Sequence, residues 1–428
     1  MTFHSNSVRQ RVRVAVLVDL ARGPNAGGHV KCWERLASAA LAFGDRLDLT
    51  VLFSGDQTEP AALGDNVRFE ALPPVFSTRR LAWLTGDLPD HTDLAPWHPR
   101  LARRLAAGFD VLHTTDAFFA FARTAARVAE RTGVPLVNSI HTATPELTRL
   151  FAGRALHRLA GNGALGRLLD QGLRLPERAE AAKVAALLHH QSRCAHVLVS
   201  RPVDRDRALT VLPSDRVHLM RRGIDRALFS PARRDRSWLA AEFGVPPEAV
   251  AVLYVGRMDS SKNILLLAEG MRRAAAAGAP LVLLCAGEGA GRAEVQGMLG
   301  ERAFCPGRIE GERLARVYAA VDLFALPSEI EIYGNVVLEA MASGVPALVT
   351  ERGGMGFLIE PGRTGLVVAG AGAEPWAEAL AGLAAAPDHL AAMRDEVCAA
   401  APALLPTWGD VLAEDLLPVW RQAAGMEL

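Results

Sequence analysis

The chain has very little lysine, no net charge and no cysteine pattern. Only three of its 47 basic residues are lysines, at Lys31, Lys183 and Lys262. The formal net charge is zero, which argues against a general nucleic-acid binder. The five cysteines are odd in number and show no C-x-x-C spacing. This usage favours a reducing compartment and argues against both a disulfide framework and a zinc site.

Long apolar runs are also absent. No stretch reaches the roughly 18 apolar residues that a membrane span needs. The apolar run that begins near residue 14 is about seven residues long, which predicts a first β-strand and not a signal peptide. We therefore expect a cytoplasmic protein with at most peripheral membrane contact.

The zero net charge hides two halves of opposite charge. Residues 1–228 hold 31 basic and 22 acidic residues, a balance of +9; because the chain has 47 of each, the remainder holds 16 and 25, a balance of −9. Residues 142–194 read as arginine-rich amphipathic helices. A basic half suits anionic lipid or a phosphorylated acceptor, and an ordinary solvated surface is the alternative.

What the chain does have is an alternation of short apolar runs and helical patterns. Its 428 residues exceed one ordinary domain. Strands are predicted at 13–20, 47–53, 110–116, 135–141, 195–200 and 217–223, and again at 249–256, 280–287, 323–328, 345–350 and 364–369. Such alternation predicts an α/β fold with two Rossmann-like, doubly wound parallel-sheet domains facing across a cleft. We place the domains at 1–228 and 229–405, followed by a helix over 406–428.

One glutamate lies inside an apolar helical segment, in LPSEIEIYGNVVLEAMASGVPALV. Glu339 stands among valine, leucine and alanine, and a buried carboxylate without partners is costly. A ligand rich in hydroxyls, such as a ribose, would satisfy it; an arginine is the alternative partner. The amides of Gly334, Asn335 and Val336 would sit at the start of this helix, where an anion such as phosphate is favoured. The pattern predicts a nucleotide site.

A second charged motif, VGRMDSSKN, follows the first predicted strand of the second domain. It places Arg257 and Lys262 five residues apart in a loop. Two cations at the carboxyl end of a strand could neutralise a departing diphosphate. Taken alone, the motif is better explained as a solvated pair of charges.

These two motifs resemble the signatures of family 4 glycosyltransferases, which are retaining enzymes with the GT-B fold. The resemblance extends to MRRGIDRALFSP, VYAAVDLFALPSE and ERGGMGFLIEPGRTGLVV and covers most of residues 13–370. It implies that Arg257 and Lys262 hold the donor diphosphate, that Glu331 lies against the donor sugar, and that Glu339 takes the ribose hydroxyls. The amides after Tyr333 would cradle phosphate, and this tyrosine stands where phenylalanine is common in the family.

In the first half, the resemblance points to residues that follow predicted strands. NAGGHV matches the family's glycine loop, so Gly27 and Gly28 would let the backbone approach the diphosphate or the acceptor closely. His141 matches the family's active-site histidine, although a histidine at a strand end is otherwise more often structural. Asp116 is a weaker candidate for acceptor binding. The resemblance also implies that the helix over 406–428 returns to the first domain, where Trp408 and Trp420 could anchor it.

The implied function is a retaining transfer of a hexosyl unit from a nucleoside-diphosphate sugar to a hydroxyl acceptor. No metal or other cofactor is expected, because protein cations replace it. SIHTATPEL at 139–147 resembles the branch of the family that glycosylates lipids, which favours a lipid or lipid-linked acceptor at the membrane surface. Soluble sugars and polysaccharide precursors are the other acceptors that we consider.

Three other functions stay open. The chain could be a catalytically idle sugar-nucleotide binding protein, a sugar-nucleotide epimerase of the same fold, or a nicotinamide-dependent oxidoreductase. The fingerprint GEGAG at 287–291 is only partial, and we interpret it as a strand-to-helix turn. DRD at 204–206 has the D-x-D form of metal-dependent sugar transferases, but we expect it to begin a helix.

Overall fold

The structure, a computed structural model, describes residues 11–23, 26–56, 61–81, 92–106, 108–160, 172–259, 261–329 and 334–427. The chain divides into two compact units. Unit 1 contains the described residues up to Arg221 together with those from Trp408 onward, and unit 2 is Arg222–Thr407. In the chain order, unit 2 is therefore an insertion between two parts of unit 1.

Unit 1 is built on one sheet. Its strands are β1 (Val12–Ala21), β2 (Leu47–Ser54), β3 (Ala61–Gly64), β4 (Val67–Leu72), β5 (Val111–Thr114), β6 (Leu136–Ser139), β7 (His196–Val199) and β8 (Val217–Leu219). They lie in the order β3-β4-β2-β1-β5-β6-β7-β8. All neighbours are parallel except β3 and β4, which are antiparallel.

Helices connect these strands. In unit 1 they are α1 (Gly28–Ala40), α2 (Pro99–Leu105), α3 (Ala120–Thr132), α4 (Thr144–Ala160), α5 (Leu175–Gln191) and α6 (Pro202–Leu209). Short 3₁₀ turns cover Leu41–Phe43, Thr78–Leu81 and Ser214–Arg216. The helix after unit 2 consists of α14 (Trp408–Asp410), a π-helical stretch (Val411–Leu416) and α15 (Leu417–Ala423).

Unit 2 has a fully parallel sheet in its described residues. Its strands are β9 (Val250–Val255), β10 (Leu281–Ala286), β11 (Ala303–Gly307), β12 (Leu323–Leu326), β13 (Ala347–Thr350) and β14 (Gly365–Val368). The order β11-β10-β9-β12-β13-β14 is that of a doubly wound dinucleotide-binding sheet. Its helices are α7 (Arg236–Phe243), α8 (Ile264–Ala276), α9 (Arg292–Leu299), α10 (Gly311–Ala320), α11 (Asn335–Ala342), α12 (Glu374–Ala384) and α13 (Pro387–Leu404). Short 3₁₀ turns cover Pro231–Arg233, Gly300–Arg302, Glu351–Gly353 and Gly356–Leu358.

The unit 2 sheet is covered on both faces, because successive side chains of a strand point in opposite directions. In β9, Ala251 and Leu253 belong to one buried cluster, whereas Val252 and Tyr254 belong to another. A strand that buries both faces must be apolar at every position. The continuous apolar runs seen in the sequence are explained by this geometry.

The prediction of two doubly wound α/β units is confirmed. Three strands were not predicted. The strands β3 and β11 are edge strands, and β4 lies beside β3. The segment of β3 is mostly exposed, and β11 contains Pro306, so neither carries the apolar run of a central strand.

The helix after unit 2 is anchored in unit 1. Trp408, Leu412, Leu416 and Trp420 recur every four residues, and all are buried in the cluster that covers β1 and β2. The main-chain N–H of Arg221 also donates to the Asp415 carboxylate at 2.8 Å. The resemblance implied that this helix returns to the first domain, and the structure groups it with that domain.

Candidate active site

The strand order of unit 2 reverses between β9 and β12. These neighbouring strands are both central, and the chain leaves them in opposite directions across the sheet. In open α/β sheets, ligands bind outside the carboxyl ends of the strands at such a switch point. The loop after β9 carries Arg257 and Lys262, and α11 follows β12. The two motifs found in the sequence therefore flank the switch point.

The loop after β9 is held by internal hydrogen bonds. The Asp259 carboxylate accepts from the Ser261 amide at 2.8 Å and lies 3.5 Å from the Arg257 guanidinium. Burial alone would raise the pKa of Asp259, but Ser261 and the charges of Arg257 and Lys262 keep it below its usual value. The Arg257 side chain remains about half exposed, at 47%. Asp259 therefore pairs with Arg257 within this loop.

Two bonds connect this loop to its surroundings. Asn263 has a left-handed backbone (φ 53°) immediately before α8, and its side-chain amide donates to the Pro327 carbonyl at 3.3 Å. Pro327 follows β12, so the bond joins the loops at both sides of the switch point. The Tyr254 hydroxyl also donates to the Arg257 carbonyl at 2.5 Å. These bonds fix the loop relative to the strand ends.

The segment 287–291 lies directly against the same loop. It forms the turn between β10 and α9, as we had interpreted it. An added Cβ at Gly287 would lie 1.8 Å from the Gly256 carbonyl oxygen, and one at Gly289 would lie 2.4 Å from that of Met258. The glycines therefore allow two backbones to meet. In this fold, their role is to support the loop that carries Arg257.

The helix α11 begins at the switch point. The Gly334 amide donates to the Met355 sulfur at 2.8 Å, and the first helical bond runs from the Val337 amide to the Gly334 carbonyl at 2.8 Å. The amides of Asn335 and Val336 come before that bond, at the positive end of the helix dipole. Such a helix start favours an anion.

Glu339 is buried within α11, with 6% of its surface exposed. Its carboxylate accepts a hydrogen bond from the Tyr318 hydroxyl of α10 at 3.1 Å. The sequence pattern predicted a ribose or an arginine as the partner, and it did not point to this tyrosine. A carboxylate has about four lone-pair positions, so a group of this kind can accept several hydrogen bonds.

In unit 1 the strand order reverses between β1 and β5. Gly27 is the residue before α1, which follows β1, and Gly28 is its first residue. The next residue, His29, stacks on the ring of His141 with centroids 4.6 Å apart and planes 4° apart. The glycine turn and His141 are therefore brought together. His141 is buried, with 8% of its surface exposed.

Behind His141 lies a line of polar side chains. His141 Nε2 is 2.7 Å from the Ser139 hydroxyl, which is 2.8 Å from His113 Nε2. The indole N–H of Trp420 donates to His113 Nδ1 at 2.9 Å. Burial lowers the pKa of His113 to about 3, so this ring is neutral at ordinary pH.

Asp116 lines a pocket of unit 1 together with His141, Thr142 and Arg201. One carboxylate oxygen of Asp116 accepts from the amides of Phe118 and Phe119, at 2.7 and 3.0 Å. Burial raises the pKa of Asp116 above its usual value, although those amides oppose the shift. Its position is suitable for acceptor binding, but part of its bonding capacity stabilises the start of α3.

The structure brings several of the predicted site residues together within each unit, and two others lie outside the residues that it describes. Within unit 2 the structure brings Arg257 and Lys262 to the same strand edge as Gly334, Asn335, Val336 and Glu339. Within unit 1 it joins Gly27, Gly28, His141 and Asp116. Glu331 and Tyr333 lie outside the described residues.

The D-x-D segment is structural. Asp204 lies in the first turn of α6, as expected, and its carboxylate binds Arg201 at 2.6 Å. Among the described ranges, no group of three His, Cys, Asp or Glu residues is arranged to hold a metal ion. In the same part of the chain, no helix has the length and apolarity to cross a bilayer.

The sequence reasoning missed His113, Ser139, Tyr318 and Trp420 as site residues. One signal was present for Ser139: in the predicted strand 135–141 it lies two residues before His141, and such residues share a face. The observed strand β6 ends at Ser139. His113 was the single ring nitrogen donor in the apolar run of β5. Tyr318 on α10 contacts Glu339, and Trp420 on α15 contacts His113. The two members of each pair are distant in the chain, so no local pattern could show these contacts.

The comparisons with known proteins agree with this geometry. Residues 249–386 match the family model described as "Glycosyl transferases group 1". Over 97% of this chain and 99% of the other, the structure resembles Anabaena Alr3699/HepE in complex with UDP and glucose (TM-score 0.64, 18% identity). The protein thus has the GT-B fold. Residues 249–386 form a glycosyl transferases group 1 domain.

Two curated relatives add sequence similarity. A D-inositol 3-phosphate glycosyltransferase of Rhodococcus erythropolis is 34% identical over 244 residues, which are 53% of this chain and 54% of the relative. A GDP-mannose-dependent alpha-mannosyltransferase of Mycolicibacterium smegmatis is 34% identical over 216 residues, 49% and 52% of the respective chains. This chain therefore spans about half the length of these relatives.

Proposed function

We propose that this protein is a retaining glycosyltransferase of family 4 that transfers a hexosyl unit from a nucleoside-diphosphate sugar to a hydroxyl acceptor. The observation that supports this most is the switch point of unit 2. A loop with two cations and the start of a helix with a buried carboxylate meet there. These groups match the parts of a sugar nucleotide: diphosphate and ribose.

Each group has a distinct role in this proposal. The Arg257 and Lys262 side chains and the amides at the start of α11 bind the diphosphate and absorb its growing charge as the glycosidic bond breaks. The Glu339 carboxylate accepts from the ribose hydroxyls while Tyr318 holds its orientation. Glu331, by resemblance, lies against the donor sugar. Because the protein supplies this positive charge, the reaction needs no metal ion or other cofactor.

The acceptor reacts on the same face of the sugar from which the diphosphate departs. A departing phosphate oxygen can take the acceptor proton there, so the configuration at the anomeric carbon is retained. We place the acceptor on unit 1, near Asp116, and the donor mainly on unit 2.

The acceptor that we favour is a lipid or a lipid-linked glycan at a membrane surface. Support comes from the basic first half of the chain and from α4 and α5. Three apolar side chains are exposed on or beside these helices: Phe151 at 39%, Leu173 at 41% and Leu175 at 36%. Arginines such as Arg149, exposed at 56%, accompany them. Apolar and cationic groups together suit an anionic bilayer surface.

A phosphorylated polyol is the second acceptor class. The relative from Rhodococcus erythropolis is named for D-inositol 3-phosphate. Both acceptor classes provide the hydroxyl that attacks the donor sugar. Transfer assays with vesicle-borne and soluble acceptors distinguish them.

The experiment that tests the function is a thermal-shift panel followed by a turnover assay. A nucleoside diphosphate and its sugar should raise Tm, whereas a nicotinamide dinucleotide should not, because only ligands of the folded state stabilise it. The stabilising sugar nucleotide is then incubated with and without acceptor. Transfer or slow donor hydrolysis supports the enzyme. Binding without either reaction would indicate an idle binding protein, and release of an isomerised sugar would indicate an epimerase.

A further inference from the structure

The line of hydrogen bonds behind His141 determines where its proton lies. An indole N–H can only donate, so His113 Nδ1, at 2.9 Å from the Trp420 nitrogen, must accept. A neutral His113 that accepts at Nδ1 carries its hydrogen on Nε2. That hydrogen points to the Ser139 hydroxyl oxygen at 2.8 Å. The tautomer of His113 is therefore fixed by a tryptophan from α15.

The same reasoning extends one step further. Among the described residues, the Ser139 hydroxyl bonds only His113 Nε2 and His141 Nε2. Since it accepts from His113, its own hydrogen is available to His141 Nε2, at 2.7 Å. If His141 Nε2 donated instead, the buried serine hydrogen would lack an acceptor, which is unfavourable. His141 Nε2 therefore accepts.

We propose that Trp420, His113 and Ser139 are positioning residues that hold His141 in its Nδ1–H tautomer. In this tautomer the hydrogen of His141 lies on Nδ1, and its Nε2 lone pair accepts from the Ser139 hydroxyl. His141 therefore cannot act on a substrate as a general base through Nε2. The role in turnover rests on the proposed function, whereas the tautomer itself does not.

Ring contacts keep His141 in this orientation. His29 stacks on one face of the His141 ring. Trp33 makes a tilted contact with the same ring, with centroids 5.6 Å apart. Trp33 also meets His113 at 5.2 Å in an edge-on contact. Because the rings are packed, a flip of His141 that placed Cε1 beside Ser139 in the position of Nε2 would disturb several neighbours.

The test uses a tryptophan that can serve as a matched control. Trp408 lies on the same helical segment as Trp420 and is also buried, but its indole nitrogen has no hydrogen-bond partner among the described residues. Trp420→Phe removes the N–H that fixes His113. Trp408→Phe removes an N–H that has no hydrogen-bond partner among the described residues. Both variants lose a similar volume.

The first readout is the histidine tautomer, measured by long-range nitrogen–proton NMR at slightly alkaline pH. A His141→Asn sample assigns the His141 signal. We expect the Nδ1–H form to dominate in the wild type by about tenfold, the bias that one hydrogen bond provides. Trp420→Phe should reduce that ratio to about threefold or less, and Trp408→Phe should leave it unchanged. An Nε2–H form in the wild type, or an unchanged ratio in Trp420→Phe, would overturn the proposal.

The second readout is turnover. In Trp420→Phe, kcat should fall by about 1.2-fold to twofold with little change in the KM for the donor, in proportion to the smaller population of the Nδ1–H tautomer. Ser139→Ala should resemble it, and Ser139→Thr, which keeps the hydroxyl, should restore both readouts; these two variants decide the matter if Trp420→Phe does not fold. A wild type without transferase activity would reject the proposed function, while the NMR result would still decide the tautomer.

Discussion

At the scale of single residues, Lys262 shows how a scarce residue type gains significance from its position. It is one of three lysines, and it stands five residues after Arg257 at the switch point of unit 2. Its neighbour Asp259 keeps a low pKa partly because of the two cations. The loop thus carries two cations, Arg257 and Lys262, beside one carboxylate.

Replacing Lys262 by alanine should reduce kcat by about 10²–10³, the usual loss when one preorganised electrostatic donor is removed. Steady-state kinetics with a saturating donor measure this. Arg272→Ala is the control, because Arg272 is an exposed cation on α8 paired with Glu269. Turnover close to that of the wild type in Lys262→Ala would remove the lysine from the mechanism.

Glu339 is a buried carboxylate, and burial of a charged group is costly unless the group has partners. Glu339→Gln keeps an oxygen for the Tyr318 hydroxyl but loses the negative charge. Because hydrogen bonds to charged groups are stronger, affinity for a nucleoside diphosphate should fall by about tenfold to a hundredfold.

Calorimetric titration measures this affinity. Glu312→Gln, an exposed change at the start of α10, should bind the nucleotide as the wild type does. Equal affinities for the wild type and Glu339→Gln would mean that the carboxylate is buried for structural reasons.

At the scale of elements, close packing of backbones supports the candidate site. The turn after β10 reaches the loop after β9 only because Gly287 and Gly289 lack side chains. The helix α9 that follows contains another glycine, Gly297, whose added Cβ would meet nothing within 4 Å. Gly287 and Gly297 therefore have opposite steric surroundings.

Gly287→Ala should destabilise the protein by more than about 2 kcal/mol, since its Cβ would collide with a carbonyl oxygen of the partner backbone. Gly297→Ala should instead stabilise it by about 0.5–1 kcal/mol, because alanine is the better helix former. Denaturant unfolding of both variants measures the difference. Equal stabilities would show that the turn relaxes and does not support the loop.

Much of the element scale could be predicted from sequence. Central strands such as β9 and β13 bury both faces, and their apolar runs are unmistakable. The edge strands lack that signal, and the alternation of Val67 and Phe69 in β4 was too short to notice. Within the site, the two charged motifs were visible as local patterns. The partners Tyr318, His113 and Trp420 were not, because their contacts depend on how distant helices pack.

At the scale of the whole molecule, charge is distributed unevenly along the chain. The balance of +9 up to residue 228 contrasts with −9 beyond it, and the basic excess includes α4. A long-range field of this kind steers association more than it sets the fold. It also weakens with salt.

The protein should bind vesicles that contain anionic lipid at low salt and release them as salt rises. Arg149→Glu, an exposed charge reversal on α4, changes the charge by two units. It should weaken binding about thirtyfold, because each unit of charge near the surface contributes about 1 kcal/mol. Arg272→Glu on unit 2 should have little effect. Co-sedimentation with neutral and anionic vesicles measures this, and no binding to either at low salt would contradict the lipid acceptor.

The insertion of unit 2 between two parts of unit 1 has a consequence for synthesis. A ribosome makes all of residues 222–407 before it reaches Trp420, so a nascent first unit has its sheet but lacks the indole that sets His113. Domains generally fold in the order in which they emerge. The line of hydrogen bonds from Trp420 through His113 and Ser139 to His141 is therefore completed only after the second unit has been translated. The mature arrangement of these side chains forms late in translation.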